Sequence, residues 1–309
     1  MMNRIWIAGH RGMVGSSLVR RFTNPNNDLL LATSAELNLT DRQRTFDWVA
    51  SVQPNAAVIA AGKVGGIGAN STDPVKFLSD NVLIAVNALD AAHEAGVEKL
   101  VFLGSSCIYP KFAEQPIKEE SLLSGPLEKT NEAYALAKIL GIKHVQGYRQ
   151  QFRRKWISAQ PTNLYGFNDN FDFETSHVLP ALIAKIHQSH VLGAATVQLW
   201  GSGKPKREFL YVDDLAEAIE FVLQNYDDDL PINIGTGIDL EIRELAEIIS
   251  SVVGFSGSIN WDTSKPDGTP RKLLDVRRVS ELGWKAKTSI EDGIKATYNW
   301  YLDNIIKTD

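Results

Sequence analysis

Three glycines at intervals of three residues follow the first apolar run of this chain, and that spacing constrains the fold more than any other feature. Ile5-Trp6-Ile7-Ala8 reads as a short buried strand, Gly9-His10-Arg11-Gly12-Met13-Val14-Gly15 follows at once, and Ser16 to Phe22 reads as a helix. Strand, glycine loop and helix in that order make a dinucleotide cradle. The glycines let backbone approach a pyrophosphate, whose charge rests on the helix N-terminus. A glycine triplet also serves an ordinary tight turn between strand and helix. Its place directly behind an apolar strand points to the cradle.

Strands and helices go on alternating after that. Val58-Ile59-Ala60-Ala61, Leu100-Val101-Phe102-Leu103 and Ile157-Ser158-Ala159-Gln160 read as inner strands, and helices are expected over about 74–95 and 131–152. The first of those helices carries Phe77, Leu78, Val82, Ala85, Val86 and Leu89, more apolar positions than one stripe needs. The class is α/β, a Rossmann-type doubly wound parallel sheet with its ligand beyond the C-terminal strand ends. After Gly166 the rhythm breaks into a polar loop and short strands at Gln198–Gly201, Glu208–Val212 and Ile232–Ile234. Helices are expected near 214–224, 242–253 and 290–302. Residues 167–309 therefore read mainly as a smaller C-terminal α/β substrate lobe. Residues 1–166 read as the nucleotide domain, with about 205–225 returning to it.

Composition narrows the partners. A length of 309 residues suits one large domain, or a domain with a lobe. A net charge of −5 argues against nucleic acid, which needs clustered positive charge. No apolar run is long enough to span a bilayer, and Met1-Met2-Asn3-Arg4 leads straight into a strand. A single cysteine cannot build an intrachain disulfide and fits a reducing compartment, so a cytoplasmic protein is expected.

The cofactor is read from the second strand, Leu29-Leu30-Leu31-Ala32, which should end at Thr33-Ser34. An acid there would bind a ribose 2′-hydroxyl, and an arginine would bind a 2′-phosphate. Neither is present. Glu36 lies past the strand end, and Arg11 in the glycine loop can reach the same region, which favours NADP. Thr40 is the expected N-cap of the next helix. The run Gly62-Lys63-Val64-Gly65-Gly66-Ile67-Gly68 allows another close backbone approach to a ligand.

Chemistry gathers at Gly104-Ser105-Ser106-Cys107-Ile108-Tyr109-Pro110 and at Tyr134-Ala135-Leu136-Ala137-Lys138. Tyrosine and lysine four apart share one helix face. A lysine ammonium and a positive nicotinamide ring would both lower the phenol's pKa, while a serine hydroxyl holds the substrate oxygen. The same spacing also occurs in a core tyrosine with a surface lysine. The glycine loop upstream and the serine pair after an apolar strand favour chemistry.

These motifs, with Lys63-Val64-Gly65-Gly66-Ile67 and Lys265-Pro266-Asp267-Gly268-Thr269-Pro270-Arg271-Lys272, resemble the GDP-L-fucose synthase family. These are extended short-chain dehydrogenase/reductases. The resemblance runs over nearly the whole chain. It implies a homodimer, built through the helices near 74–95 and 131–152. It also implies epimerisation at C3 and C5 of a GDP-4-keto-6-deoxy sugar, then NADPH reduction at C4. Ser105, Tyr134 and Lys138 are the implied reductase set, and Cys107 with His177 the implied acid/base pair. Cofactor contacts are implied for the Gly9–Gly15 loop, Thr33, Ser34, Asp41, Leu103, Gly104, Ser105, Ser106, Tyr134, Lys138, Pro161-Thr162-Asn163-Leu164 and His177. Substrate contacts are implied for Lys185, Trp200, Arg207, Asp267 and Lys272, with no metal. Two departures stand out: Lys185 is often arginine in the family, and Ala32-Thr33-Ser34 lacks the usual arginine. The competing readings are a GDP-sugar 4-reductase or 3,5-epimerase on another 4-keto substrate, a sugar 4-epimerase with retained NAD, and a non-catalytic dinucleotide sensor.

Overall fold

The computed structural model describes residues 3–308 except 67–69, 71, 174 and 266. Met1, Met2, Ile67, Gly68 and Pro266, each within a stretch read above, lie outside the described residues. The apolar runs form buried parallel strands: β1 (Arg4–Ala8), β3 (Ala56–Ile59), β4 (Lys99–Leu103) and β5 (Lys155–Pro161). β2 (Asp28–Leu30) closes one edge and stops short of Thr33-Ser34. Among the described residues the central sheet runs β2-β1-β3-β4-β5-β9, with every pair parallel. The chain leaves β1 for β2 on one side, then returns to β3 and moves the other way. The switch point between β1 and β3 is where a doubly wound sheet opens its crevice.

Alternation along the strands divides two cores. Ile5 and Ile7 pack with Leu18 of α1 (Met13–Phe22) and with Leu215 and Ile219 of α6 (Val212–Asn225). Trp6 and Phe102 face the other way. They join Val49 of α2 (Arg42–Val52), Leu89 of α3 (Pro74–Glu94) and Ile142 of α4 (Glu132–Phe152). Asp41, rather than Thr40, caps α2: its side chain accepts from Arg44 N at 3.1 Å. The helix begins at Arg42, so the residue directly before it fills the cap.

β9 (Ile232–Ile234) pairs with β5 and extends the central sheet, beyond the 205–225 segment expected to return there. α6 lies against α1, tied by Ser17 Oγ donating to Val212 O at 3.1 Å, and so delivers β9 to the open edge. The lobe holds β8 (Lys206–Tyr211), flanked by β6 (Asn163–Tyr165), β10 (Asp239–Glu241) and β12 (Arg271–Lys272). β7 (Thr196–Trp200) pairs with β11 (Ser258–Asp262). α5 (Val178–Val191), α7 (Ile242–Val253) and α9 (Ile290–Asn304) enclose the lobe's core around Ile183, Leu245, Ile249 and Ile294. The short α8 (Arg277–Glu281) contributes Val279 beneath the central sheet. Among the described residues, no helix is long and apolar enough to cross a membrane.

Candidate active site

A cavity of about 1670 Å³ opens over the C-terminal ends of β1, β3, β4 and β5 and reaches into the lobe. Every cofactor and substrate residue expected from the sequence lines it except Asp41, whose carboxylate is turned to the start of α2. The glycine loop fits a dinucleotide. Gly9 holds φ +83°, and a Cβ at Gly15 would stand 2.0 Å from Gly9 O, so only hydrogen lets the turn close. Gly12 sits at the N-cap of α1 without a side-chain cap, leaving the first amides free for a phosphate. Gly15→Ala should therefore abolish dinucleotide binding. A titration of the variant by cofactor fluorescence checks this, and wild-type affinity would contradict the cradle.

β4 ends in Gly104, and Ser105 is fixed from behind: Gln160 Oε1 accepts from Ser105 N at 3.0 Å. Ser105 Oγ accepts from Cys107 N at 3.2 Å, capping the 3₁₀ turn Ser106–Ile108. Its hydroxyl is also within hydrogen-bonding reach of the Tyr134 phenol. Tyr134 and Lys138 are both buried on α4. Lys138 Nζ donates to Leu103 O at 2.8 Å and lies 5.1 Å from the Phe102 ring centroid. Burial pushes its ammonium down to about 8.

The expected lowering of the Tyr134 phenol is not what the protein's own groups produce. Burial raises it well above 10, the charge of Cys107 adds to the rise, and a hydrogen bond with Ser105 opposes it. The Lys138 ammonium is turned to a backbone carbonyl, so it does not bind the phenolate. A phenol that keeps its proton at neutral pH is the form a ketone reduction requires, because the nascent alkoxide must be protonated.

Cys107 and His177 face the same cavity, and Lys272 neighbours both. Lys272 Nζ donates to Cys107 Sγ at 3.5 Å, and Asn131 Nδ2 donates to the same sulfur at 3.3 Å. His177 stands at the N-cap of α5 without making a side-chain cap. Burial first and the Lys272 charge second hold its imidazole below the usual 6.5. It is therefore neutral at pH 7 and able to accept a proton.

The far end of the cavity is cationic and aromatic. Trp200, 64% exposed, lies between Lys185 Nζ at 4.6 Å and Lys265 Nζ at 5.5 Å from its ring centroid. Arg207 lines the same region. The Lys265–Lys272 loop distributes its three cations. Lys265 goes to Trp200, Arg271 pairs with Asp239 at 2.5 Å, and Lys272 reaches Cys107. Asp267 accepts from Ser202 N at 2.6 Å and Oγ at 2.7 Å, which pins this loop beside β7.

Sequence reasoning missed three supporting residues. Gln160 is the polar residue inside an apolar strand, and Asn131 stands three residues before Tyr134. Asp169 lines the cavity with Oδ1 accepting from Asn170 N at 2.8 Å and a buried Oδ2 that has no partner among the described residues. Burial pushes its carboxyl from 3.8 up to about 7. Between those values the folded chain binds a proton that the unfolded chain has released, so stability falls as pH rises through this window. Asp169→Asn should raise Tm at pH 8 and leave it unchanged at pH 4. Thermal unfolding at the two pH values tests this, and an equal shift at both would contradict it.

A glycine-rich cradle with a tyrosine and a lysine one helical turn apart is the pattern of a short-chain dehydrogenase/reductase, and that is the class fold and cavity define. The switch point of the sheet, the glycine turn and the Tyr134–Lys138 pair all open on the same cavity. The chain belongs to the NAD dependent epimerase/dehydratase family, which matches residues 5–235. It is 52% identical to GDP-L-fucose synthase 1 of Arabidopsis thaliana over 303 residues, covering 98% of this chain and 94% of that protein. Against GDP-L-fucose synthase of Escherichia coli K12 it is 50% identical over 311 residues, covering 97% of each. A GDP-D-glycero-L-gluco-heptose synthase from Campylobacter jejuni, solved in the presence of NADPH, matches with TM-score 0.90 at 34% identity. That match covers 97% of this chain and 98% of the other.

Proposed function

We propose that this chain converts GDP-4-keto-6-deoxy-D-mannose to GDP-L-fucose, inverting C3 and C5 and then reducing the C4 ketone with NADPH. The observation that carries this reading is a reductase set and a separate thiol–imidazole pair opening onto one cavity. Ser105, Tyr134 and Lys138 serve one carbon; Cys107 and His177 serve its two neighbours. C3 and C5 both flank the ketone, so a base can take either proton while the electron pair moves onto the C4 oxygen. Ser105 and Tyr134 stabilise that enolate by donating to it. Proton return from the opposite face inverts the centre, and a thiol and an imidazole are suited to the exchange near neutral pH. Bound NADPH supplies the hydride for C4. Tyr134 then gives its proton to the C4 oxygen, and Lys138, held by Leu103 O, fixes the floor of the site.

The preference for NADPH rests on Arg11, which lines the cavity. The Glu36 carboxylate accepts from Thr33 N at 2.8 Å and from Thr33 Oγ1 at 2.9 Å, and it lies within the field of His10 and Arg11. Lys185, Trp200, Lys265 and Arg207 take the GDP end, where cations face the diphosphate and an aromatic ring faces sugar or base. A 4-reductase acting on a heptose is the second reading, favoured by the Campylobacter structure. Incubation with the deoxymannose ketone and NADPH decides: loss of absorbance at 340 nm with GDP-L-fucose as product is expected, and under the second reading no GDP-L-fucose would form.

The dinucleotide part comprises residues 1–166 apart from β6, with α6, β9 and α8, and the rest of 167–309 forms the substrate lobe together with β6. A homodimer through α3 and α4 follows from their second apolar stripe, where Val75, Leu78, Leu83, Leu136 and Leu140 are all exposed. Leu83→Glu with Leu140→Glu should convert a dimer to a monomer in sedimentation; an unchanged mass would place the interface elsewhere. A cytoplasmic setting suits the single free thiol at Cys107.

A further inference from the structure

Asn131 occupies the N-cap position of α4, where asparagine ordinarily accepts from a first-turn amide. It makes no such cap. Its Nδ2 donates instead to Cys107 Sγ at 3.3 Å, and among the described residues its buried Oδ1 has no partner. An uncompensated buried acceptor is costly, and such groups concentrate at functional sites. Asn131 also lines the cavity. The amide thus holds the sulfur instead of capping its own helix.

We propose that Asn131 is a positioning residue for proton transfer at Cys107, its Nδ2 orienting the sulfur. The inference rests on the acid/base role given to Cys107 above. In the step it serves, the sulfur lone pair takes a proton from the carbon beside the ketone, and the C–H electron pair moves to the C4 oxygen. Nδ2 and Lys272 Nζ then approach the sulfur as two separate donors, so the lone pair that remains is directed by geometry rather than by free rotation of the side chain. C4 reduction does not pass through this amide.

The single cysteine makes the test direct, since iodoacetamide labelling reads Cys107 alone. In Asn131→Ala, labelling at pH 7 should slow about tenfold while labelling at pH 9.5 stays near wild type, the size expected for losing one donor to a charged acceptor. Deuterium wash-in at C3 and C5 should fall by about the same factor, with direct C4 reduction changed less than about twofold. Asn131→Ser retains a capping residue but not the reach to sulfur, and gives the same readings should the alanine variant lose its fold. Labelling identical to wild type at both pH values in the folded variant overturns the proposal. If wild type itself shows no wash-in, the epimerase reading fails instead, and a shifted labelling ratio still establishes the contact.

Discussion

Tyr134→Phe is expected to lower kcat for C4 reduction by about 10²–10⁴-fold, the range a positioned general acid contributes. Burial holds the phenol above its ordinary value, so at neutral pH it carries the proton the C4 oxygen needs. Phenylalanine fills the same space without that proton. The ring stays packed, and the lost hydrogen bond with Ser105 costs stability only about 1 kcal/mol, so the variant should fold and bind NADPH. Epimerisation should slow as well, because the enolate oxygen loses one of two donors. Single-turnover absorbance at 340 nm and deuterium wash-in measure the two losses separately. A variant that reduces at the wild-type rate would remove Tyr134 from the chemistry.

Cys107→Ser should separate the half-reactions. Wash-in at C3 and C5 is expected to fall by at least about 10²-fold, because an alcohol is a far poorer base than a thiolate near neutral pH. Direct reduction of the unepimerised ketone should persist, since Ser105 and Lys138 are held by Gln160 and Leu103 rather than by the sulfur. The near-isosteric change leaves the capped 3₁₀ turn in place, because Cys107 contributes its backbone N there. Equal loss of exchange and reduction would mean that one residue serves both steps.

The parts of this account legible in the sequence are those carried by local spacing. The glycine loop, the apolar strands and the Tyr134–Lys138 pair are each contained within one element or one turn. What the sequence hid depends on contacts between distant segments. Ile232–Ile234 looks the same whether it pairs with β5 or lies in the lobe, and the packing of α6 on α1 decides it. Lys265, Arg271 and Lys272 belong to one eight-residue stretch yet reach Trp200, Asp239 and Cys107, because the loop and the alternation along β12 send them in different directions. Asp41 is near the right sequence distance for a cofactor contact, but helix capping claims its carboxylate. The direction of the Tyr134 shift was illegible for a related reason: burial depends on everything packed around the phenol, and the lysine beside it bonds a carbonyl.

The central claim is that one cavity performs two chemistries on a single ketone, and product NMR in deuterated water tests it most directly. With GDP-4-keto-6-deoxy-D-mannose and NADPH, the account predicts GDP-L-fucose carrying solvent deuterium at C3 and C5 and protium at C4. A reduced product that keeps protium at C3 and C5 and the original configuration there would contradict it.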